Sequence, residues 1–246
     1  MKAMILAAGV GSRLRPLTDT TPKALIDING TPILEIIQRR LKAAGVSQVI
    51  LNLHHLGEQI VDFLQSRQNF GLRVAFSREE ELLDTGGGLK KASWFFDDEK
   101  PFFLHNVDAL CNVDLTQMLH AHHSAEALAT LLTEDRPSSR FFLFDTSEQL
   151  CAWQSTETGK TLWAGKPVPT ARLLAFNGVH VISPRIFSMM IEEGNFSINR
   201  AYLRLAGEGE RILAHHPEGC FWRDIGRIGQ LEEIRTEVRQ KEIWFY

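Results

Sequence analysis

The stretch from Leu6 to Leu25, which reads LAAGVGSRLRPLTDTTPKAL, constrains the fold of this chain more than any other. It follows Met4-Ile5, and the short apolar run at this point predicts a buried first strand. The next residues carry little side-chain bulk, so their backbone N–H groups can approach an anion or a flat base closely. The residues expected to make these contacts are Leu6, Ala7, Ala8, Gly9 and Gly11.

Three cations follow the turn, at Arg13, Arg15 and Lys23. A guanidinium matches phosphate oxygens with a planar fork, and a lysine supplies a point charge. Two familiar phosphate loops do not fit, because the dinucleotide fingerprint needs a glycine at Leu14 and the P-loop needs a terminal Gly-Lys-Ser/Thr that this stretch lacks. Gly-x-Gly alone would favour a plain strand-to-helix turn, but the whole run predicts a site for a polyphosphate with an attached base.

Composition limits the remaining functions. The chain has 246 residues and a net charge of −3, so it offers no basic field for nucleic acid and any anion site must be local. Its three cysteines are scattered, which argues against a disulfide framework or a zinc site and favours a reducing compartment. No apolar run approaches the roughly 20 residues of a membrane span, and Met1-Lys2-Ala3 leaves no room for a signal peptide. We therefore expect a soluble, cytoplasmic protein with no membrane partner.

Strand and helix patterns alternate through the first half of the chain, which predicts right-handed crossovers and a largely parallel sheet. Thr31-Pro32 is expected to cap the first long helix, and three glycines at 86–88 to precede a helix over Leu89–Trp94. From Glu126 the alternation stops, and short strands predict an antiparallel excursion. The strands and the further helix predicted are Gln48–Leu53, Arg73–Ser77, Pro101–Asn106, Ala127–Thr133, Arg140–Phe144, Leu150–Trp153, Thr161–Trp163, Leu173–Ile182 and the helix Glu58–Arg67.

Two aspartates are candidates for metal binding. Asp108 lies just beyond a predicted central strand, at the sheet edge where ligands bind in open parallel sheets, and Asp114 is the better helix cap nearby. Asp224 follows a further predicted strand, Cys220–Arg223. Two carboxylates with phosphate oxygens and waters form an oxygen-only octahedral site, which suits Mg²⁺. His54 and the histidines at 120, 122 and 123 are expected to be solvated or helix-end residues rather than ligands.

The run from Leu6 to Leu25 resembles the signature of the sugar-1-phosphate nucleotidyltransferases, or nucleotide-sugar pyrophosphorylases. It is most similar to the short branch with N-acetylmuramate-1-phosphate uridylyltransferases and mannose- or heptose-1-phosphate guanylyltransferases. The likeness continues at residues 83–88, 106–108, 177–178 and 222–226. It implies an α/β fold with a Rossmann-like, three-layer, mixed and mostly parallel sheet. It also implies a single nucleotidyltransferase domain over 1–246, with a nucleotide-binding half (1–125) and a sugar-phosphate-binding half (126–246).

The resemblance assigns roles to individual residues. Arg13, Lys23 and Asp108 would be catalytic, and Asp108 and Asp224 would hold the metal. Beside the turn residues, the expected nucleotide contacts are Glu81, Gly86 and Asn106, and the expected sugar-phosphate contacts are Lys166, Asn177 and Gly178. The chain departs from the family at Val107, where a glycine is usual, and at Arg227, where a threonine is usual.

The implied reaction joins a nucleoside triphosphate, UTP being favoured, to a sugar-1-phosphate and releases pyrophosphate, with the protein a monomer or a small homo-oligomer. GTP with a mannose- or heptose-type sugar phosphate is the first alternative. A cytidylyltransferase acting on a non-sugar acceptor such as phosphocholine is another. A catalytically inactive regulatory module is the alternative from a different class, and it would be expected to lack one of the residues at 13, 23, 108 and 224.

Overall fold

The computed structural model describes residues 1–240, and their contacts separate into two units. The first unit comprises Met1–Leu82, Leu104–Leu115 and the described chain from Gly219 onward; the second comprises Leu83–Phe103 and Thr116–Glu218. The predicted single domain with halves 1–125 and 126–246 stays a prediction. Within residues 1–240, no helix combines the length and apolar character that a membrane crossing demands.

Strands and helices are numbered in chain order. The strands are β1 (Lys2–Leu6), β2 (Asp27–Ile28), β3 (Thr31–Pro32), β4 (Gln48–Leu53), β5 (Arg73–Arg78), β6 (Phe102–Asn106), β7 (Ala109–Cys111), β8 (Ala129–Glu134), β9 (Arg140–Phe144), β10 (Leu150–Ser155), β11 (Thr161–Trp163), β12 (Arg172–Ile182), β13 (Ile212–His215) and β14 (Trp222–Asp224). The α-helices are α1 (Leu17–Thr20), α2 (Ile33–Ala43), α3 (Gly57–Ser66), α4 (Asp84–Lys91), α5 (Leu115–Ser124), α6 (Ile186–Met189), α7 (Ile198–Gly207) and α8 (Ile228–Arg239). Short 3-10 helices lie at Ser12–Leu14, Lys23–Leu25, Gln68–Gly71 and Ser93–Phe95.

The first unit is built on parallel strands. β1 pairs with β4 from Lys2↔Gln48 to Leu6↔Asn52, and β4 pairs in parallel with β5. The central residues of β1 and β4 are fully buried, as expected for a parallel sheet that is covered on both faces. The carboxyl ends of these strands therefore meet at one edge, where the loop after β1 begins.

The first long helix starts one residue later than the sequence predicts. Thr31 and Pro32 pair with Ile28 and Asp27 in a two-residue antiparallel ladder, so Pro32 is the N-cap and the helix begins at Ile33. Its apolar face buries Ile33, Leu34, Ile36, Ile37 and Leu41. The correction is small because the pyrrolidine ring still fixes the backbone at the helix entrance.

The second unit contains the predicted antiparallel strands. β12 pairs antiparallel with both β8 and β9, β10 pairs with β9 and β11, and β13 adds to β8 in parallel. The register of β12 against β8 shifts between Phe176 and His180, so a bulge lies at Asn177-Gly178. Gly178 within this bulge has a φ of 76°, a conformation that glycine adopts without strain.

The glycines at 86–88 lie inside α4, which begins at Asp84, and not before a helix at Leu89 as the sequence predicts. A Cβ built on Gly86 would lie 2.3 Å from the Phe196 ring, and one on Gly87 would lie 2.3 Å from the Gly194 carbonyl oxygen. The Gly86 amide also donates to the Phe196 carbonyl at 2.9 Å. Close packing on residues 194–196 therefore overrides the poor helix propensity of glycine.

His122 is buried, contrary to the expectation of a helix-end surface residue. Its Nδ1 lies 3.0 Å from Thr130 Oγ1 and its Nε2 lies 3.0 Å from Ser183 Oγ. Burial lowers the pKa of His122 to about 4, and the neighbouring His123 and Arg185 add to the effect. The histidine is therefore neutral in the folded protein at neutral pH.

The buried His122 predicts a loss of stability in acid. An unfolded chain binds its proton near pH 6.5 but the folded chain only near pH 4, so the free energy of unfolding should fall as the pH drops between those values. Denaturant unfolding at several pH values measures this slope. His122→Gln should make the slope shallower, leaving the contribution of buried His105, whereas exposed His123→Gln should change it much less; an equal slope in the wild type and His122→Gln would contradict the assignment.

Candidate active site

The loop after β1 is anchored at both ends. At its start, the Leu6 carbonyl accepts from the Val107 amide at 3.2 Å, and the Ala7 amide donates to Asn52 Oδ1 at 2.7 Å. At its end, the Gly11 carbonyl accepts from Thr18 Oγ1 and from the Leu14 amide, both at 2.8 Å. Gly11 has a φ of 62°, a conformation that a glycine adopts without strain.

Between these anchors the backbone has unused donors. Within residues 1–240, the amides of Ala8, Gly9, Val10 and Gly11 donate no hydrogen bond. Ala8 is buried and Gly9 is exposed, so the loop passes from the interior to the surface. Consecutive amides without acceptors form a concave site of positive potential that suits phosphate oxygens. The sequence-based expectation for this turn is consistent with that geometry.

Lys23 and Asp108 form an ion pair in the first unit. Lys23 Nζ lies 2.5 Å from Asp108 Oδ2, and Lys23 is only 9% exposed. Pro22 precedes it in an extended conformation, and the 3-10 helix that starts at Lys23 holds the side chain. Both side chains are partly shielded from water, and the charge-assisted hydrogen bond holds the Lys23 ammonium group against the Asp108 carboxylate.

A two-stranded antiparallel ladder brings the second aspartate to the first. β14 pairs with β7 so that Asp224 is opposite Ala109, the neighbour of Asp108. The Ile225 amide also donates to the Asp108 carbonyl at 3.0 Å. β7 is absent from the sequence-based prediction, because three residues are too few to show alternation. The ladder therefore brings the backbone of Asp224 close to that of Asp108.

Arg13 reaches the same place from the loop. A Cβ built on Gly226 would lie 2.9 Å from Arg13 Nη2 and 2.9 Å from Asp224 Oδ2. The guanidinium and the carboxylate therefore both approach the Cα of Gly226. All four residues predicted to be catalytic or metal-binding lie in the first unit, Lys23 against Asp108 and Arg13 and Asp224 beside Gly226.

The residues present fit a magnesium ion. Within residues 1–240, no group of three or more His, Cys, Asp and Glu side chains could enclose a metal by itself. Mg²⁺ is commonly held by one or two carboxylates together with substrate phosphates and waters. Asp108 and Asp224 would supply such carboxylates to a metal bound together with substrate phosphates.

Asn106 lies at the carboxyl end of β6 and has an unsatisfied acceptor. Its Oδ1 is buried and receives no hydrogen bond within the described residues. The preceding His105 is bound through Nδ1 to the Asn106 carbonyl at 2.8 Å, and burial lowers the pKa of His105 to about 4. Asn106 therefore has a free acceptor for a ligand hydroxyl or amine, in keeping with its predicted role.

Sequence reasoning missed Asn52 and Glu79. Asn52 Nδ2 donates to Glu79 Oε1 at 2.8 Å, and both residues are buried. The available signal was a lone asparagine in the apolar strand QVILNL. Glu81, the expected base contact, is exposed and makes no hydrogen bond or ion pair within the described residues.

The predicted sugar-phosphate residues lie in the second unit. Asn177 is buried, its Oδ1 accepts from Arg136 Nε at 3.1 Å, and its Nδ2 donates to Glu134 Oε2 at 3.3 Å. Lys166 is exposed in an irregular segment after β11. Asn177 and Gly178 therefore share the bulge of β12 with a cation and an anion, whereas Lys166 lies in a different segment.

Gly226→Ala should reduce activity with little loss of stability. The added methyl group would displace the far end of Arg13 and the Asp224 carboxylate, both of which can move toward solvent. Steady-state kinetics and thermal unfolding measure the two effects. Gly229→Ala in α8, where nothing lies within 4 Å of the built Cβ, is the matched control and should retain activity. Wild-type turnover in Gly226→Ala would contradict the placement of Arg13.

Comparison with protein families and curated proteins gives consistent matches. The model of the nucleotidyl transferase family matches residues 2–241. A UTP–glucose-1-phosphate uridylyltransferase of Synechocystis sp. is 39% identical over 99% of this chain, and the chain spans 64% of that relative's length. An N-acetylmuramate alpha-1-phosphate uridylyltransferase of Neisseria meningitidis serogroup B is 33% identical, over 96% of this chain and 97% of the relative.

Solved structures agree on the fold. The crystal structure of a putative glucose-1-phosphate thymidylyltransferase from Bacillus anthracis has a TM-score of 0.79. It covers 97% of this chain and 95% of its own at 19% identity, which speaks for the fold alone. The predicted mixed α/β, Rossmann-like fold class is thereby confirmed.

Proposed function

Because the chain belongs to the nucleotidyl transferase family, we propose that it joins a nucleoside triphosphate to a sugar-1-phosphate and releases pyrophosphate. The observation that carries this proposal is that the first unit contains the Lys23–Asp108 ion pair, Arg13 and Asp224 beside Gly226, and the loop of free amides. Two anionic substrates must meet there, and this set of groups supplies the charges that let them do so.

The reaction needs little proton transfer. A sugar-1-phosphate is mostly dianionic at pH 7, since the second pKa of a phosphate monoester is about 6, so its oxygen can attack the α-phosphorus without a general base. The new bond joins that oxygen to the α-phosphorus, and the bond from the α-phosphorus to the bridging oxygen breaks as pyrophosphate leaves. Catalysis then consists of alignment and charge neutralisation.

Each group has a role in that alignment. The amides of Ala8 to Gly11 would bind phosphate oxygens, and Arg13 would hold the β- and γ-phosphates and the departing pyrophosphate. Lys23, fixed by Asp108, would lie between the α-phosphate and the incoming sugar phosphate. Mg²⁺ held by Asp108 and Asp224 would neutralise charge on the phosphate oxygens.

The substrates are proposed as UTP and a sugar-1-phosphate. The names of the two relatives support uridylyl transfer to a sugar-1-phosphate rather than to phosphocholine. GTP with a mannose- or heptose-type sugar phosphate stays the alternative. A catalytically inactive regulatory module is disfavoured because the charged residues at 13, 23, 108 and 224 are all present. Lys23 pairs with Asp108, and Arg13 and Asp224 lie beside Gly226.

A pyrophosphate-release assay with a panel of triphosphates and sugar-1-phosphates tests the proposal. UTP is expected to support turnover with at least one sugar phosphate in the presence of Mg²⁺. Turnover with GTP only would favour the guanylyl alternative, and turnover with no pair would overturn the proposed activity.

Arg13→Ala should lower kcat/KM by roughly a thousandfold, since arginines that stabilise phosphoryl-transfer charge contribute at least that much. Arg15→Ala is the matched control, because Arg15 is exposed and its guanidinium pairs with Asp19, four residues further along the chain. An exposed ion pair of this kind contributes little to the free energy of unfolding. Pyrophosphate release measures both variants. Equal losses, or none at Arg13, would remove Arg13 from the mechanism.

A further inference from the structure

Asn52 connects the loop after β1 to a buried carboxylate. It lies near the end of β4, is 3% exposed, and uses both ends of its amide. Its Oδ1 accepts from the Ala7 amide at 2.7 Å, and its Nδ2 donates to Glu79 Oε1 at 2.8 Å. In the parallel ladder Asn52 is opposite Leu6, the residue before Ala7, so its backbone is fixed against the start of the loop.

Glu79 determines which way the amide of Asn52 points. The Ala7 amide can only donate and Glu79 Oε1 accepts, so the oxygen of Asn52 faces Ala7 and its NH₂ group faces Glu79. Glu79 is itself held in place, because its amide donates to the Leu53 carbonyl at 2.8 Å and its carbonyl is 2.9 Å from His54 Nδ1. It is 5% exposed, so its hydrogen bond to Asn52 is shielded from competing water.

The loop has few other means of holding its shape. Ala7, Ala8 and Gly9 carry no polar side chain, and the amides from Ala8 to Gly11 are the donors left for phosphate. A shift of Ala7 would displace all of these amides together, because they follow it directly along the backbone. A misplacement of about 1 Å can reduce catalysis roughly a hundredfold.

We propose that Asn52, oriented by Glu79, is a positioning residue that sets the loop amides for the triphosphate. Neither side chain needs to touch the substrate. The inference rests on the proposed function, because it assigns the loop to nucleotide binding. It predicts that the polarity of the Asn52–Glu79 pair, and not merely its bulk, governs nucleotide affinity and turnover.

Exchanging the two functional groups tests this polarity. Asn52→Asp keeps an acceptor for the Ala7 amide but places a carboxylate against Glu79, so the side chain should turn away or both should shift. The double variant Asn52→Asp with Glu79→Gln restores the pattern, since the side-chain amide introduced at position 79 then donates to the new carboxylate. Its net charge equals that of the wild type, and every side chain keeps nearly its original size.

The measurements are kcat and the KM for UTP in pyrophosphate release, with thermal unfolding of each full-length variant. Asn52→Asp is expected to lose roughly a hundredfold in kcat/KM, with a raised KM for UTP, and the double variant to recover most of that loss. Ser77→Ala is the matched control, because Ser77 is buried opposite Asn52 on β5 and its Oγ has no hydrogen-bond partner within the described residues. It should retain wild-type kinetics.

Several outcomes would overturn the inference. Wild-type turnover with unchanged kinetics in Asn52→Asp, or a folded double variant that recovers nothing, would show that the pair only supports the fold. If Asn52→Asp does not fold, Glu79→Met carries the test, because it keeps a side chain of similar size but removes the acceptor for Asn52 Nδ2, and an unchanged KM for UTP and kcat would contradict the proposal. Absence of turnover in the wild type with every substrate pair would instead overturn the proposed function, and this inference with it.

Discussion

The short ladder between β7 and β14 is the contact on which the candidate active site depends. It joins Ala109–Cys111 to Trp222–Asp224, two segments that are far apart in the chain, and so places Asp224 beside Asp108. Asp108 and Asp224 belong to these two different segments. Backbone hydrogen bonds hold the segments together more firmly than contacts between flexible side chains would. Without this ladder the chain would have a phosphate loop but no paired carboxylates for a metal.

Lys23 and Asp108 balance one another's charge before any substrate binds. Lys23 neutralises Asp108 at 2.5 Å, and Arg13 and Asp224 both approach the Cα of Gly226. A partly buried charge destabilises the fold unless it is paired. The Lys23–Asp108 ion pair therefore makes these two charges compatible with a stable fold. It also leaves the anionic substrates dependent on additional positive charge, which Mg²⁺ would supply.

The sequence predicts the long, regular features of the fold well. β4 and β9 begin and end at the predicted residues, and the bulge at Asn177-Gly178 is where the glycine indicates. The anion-binding turn and its cations are also visible in the sequence, because local composition alone determines whether amides can approach a phosphate. Features of this kind depend on neighbours in the chain.

Features that depend on distant contacts are not visible in the sequence. α4 includes three glycines because residues 194–196 pack closely on it. His122 can be buried because its two ring nitrogens are hydrogen-bonded to the hydroxyls of Thr130 and Ser183. β7 exists because β14 pairs with it. Asn52 is an intermediate case, since a polar residue in a buried strand indicates a partner without identifying Ala7 or Glu79.

The central claim is that Asp108 and Asp224 act as one metal site together with a bound triphosphate. Binding of Mn²⁺ in place of Mg²⁺, followed by electron paramagnetic resonance in the presence of a non-hydrolysable UTP analogue, tests it most directly. The account predicts that Asp108→Asn and Asp224→Asn each weaken metal binding in that complex by at least about tenfold, as loss of a ligand should exceed the effect of losing an outer-shell partner. Unchanged Mn²⁺ affinity in either variant would contradict it.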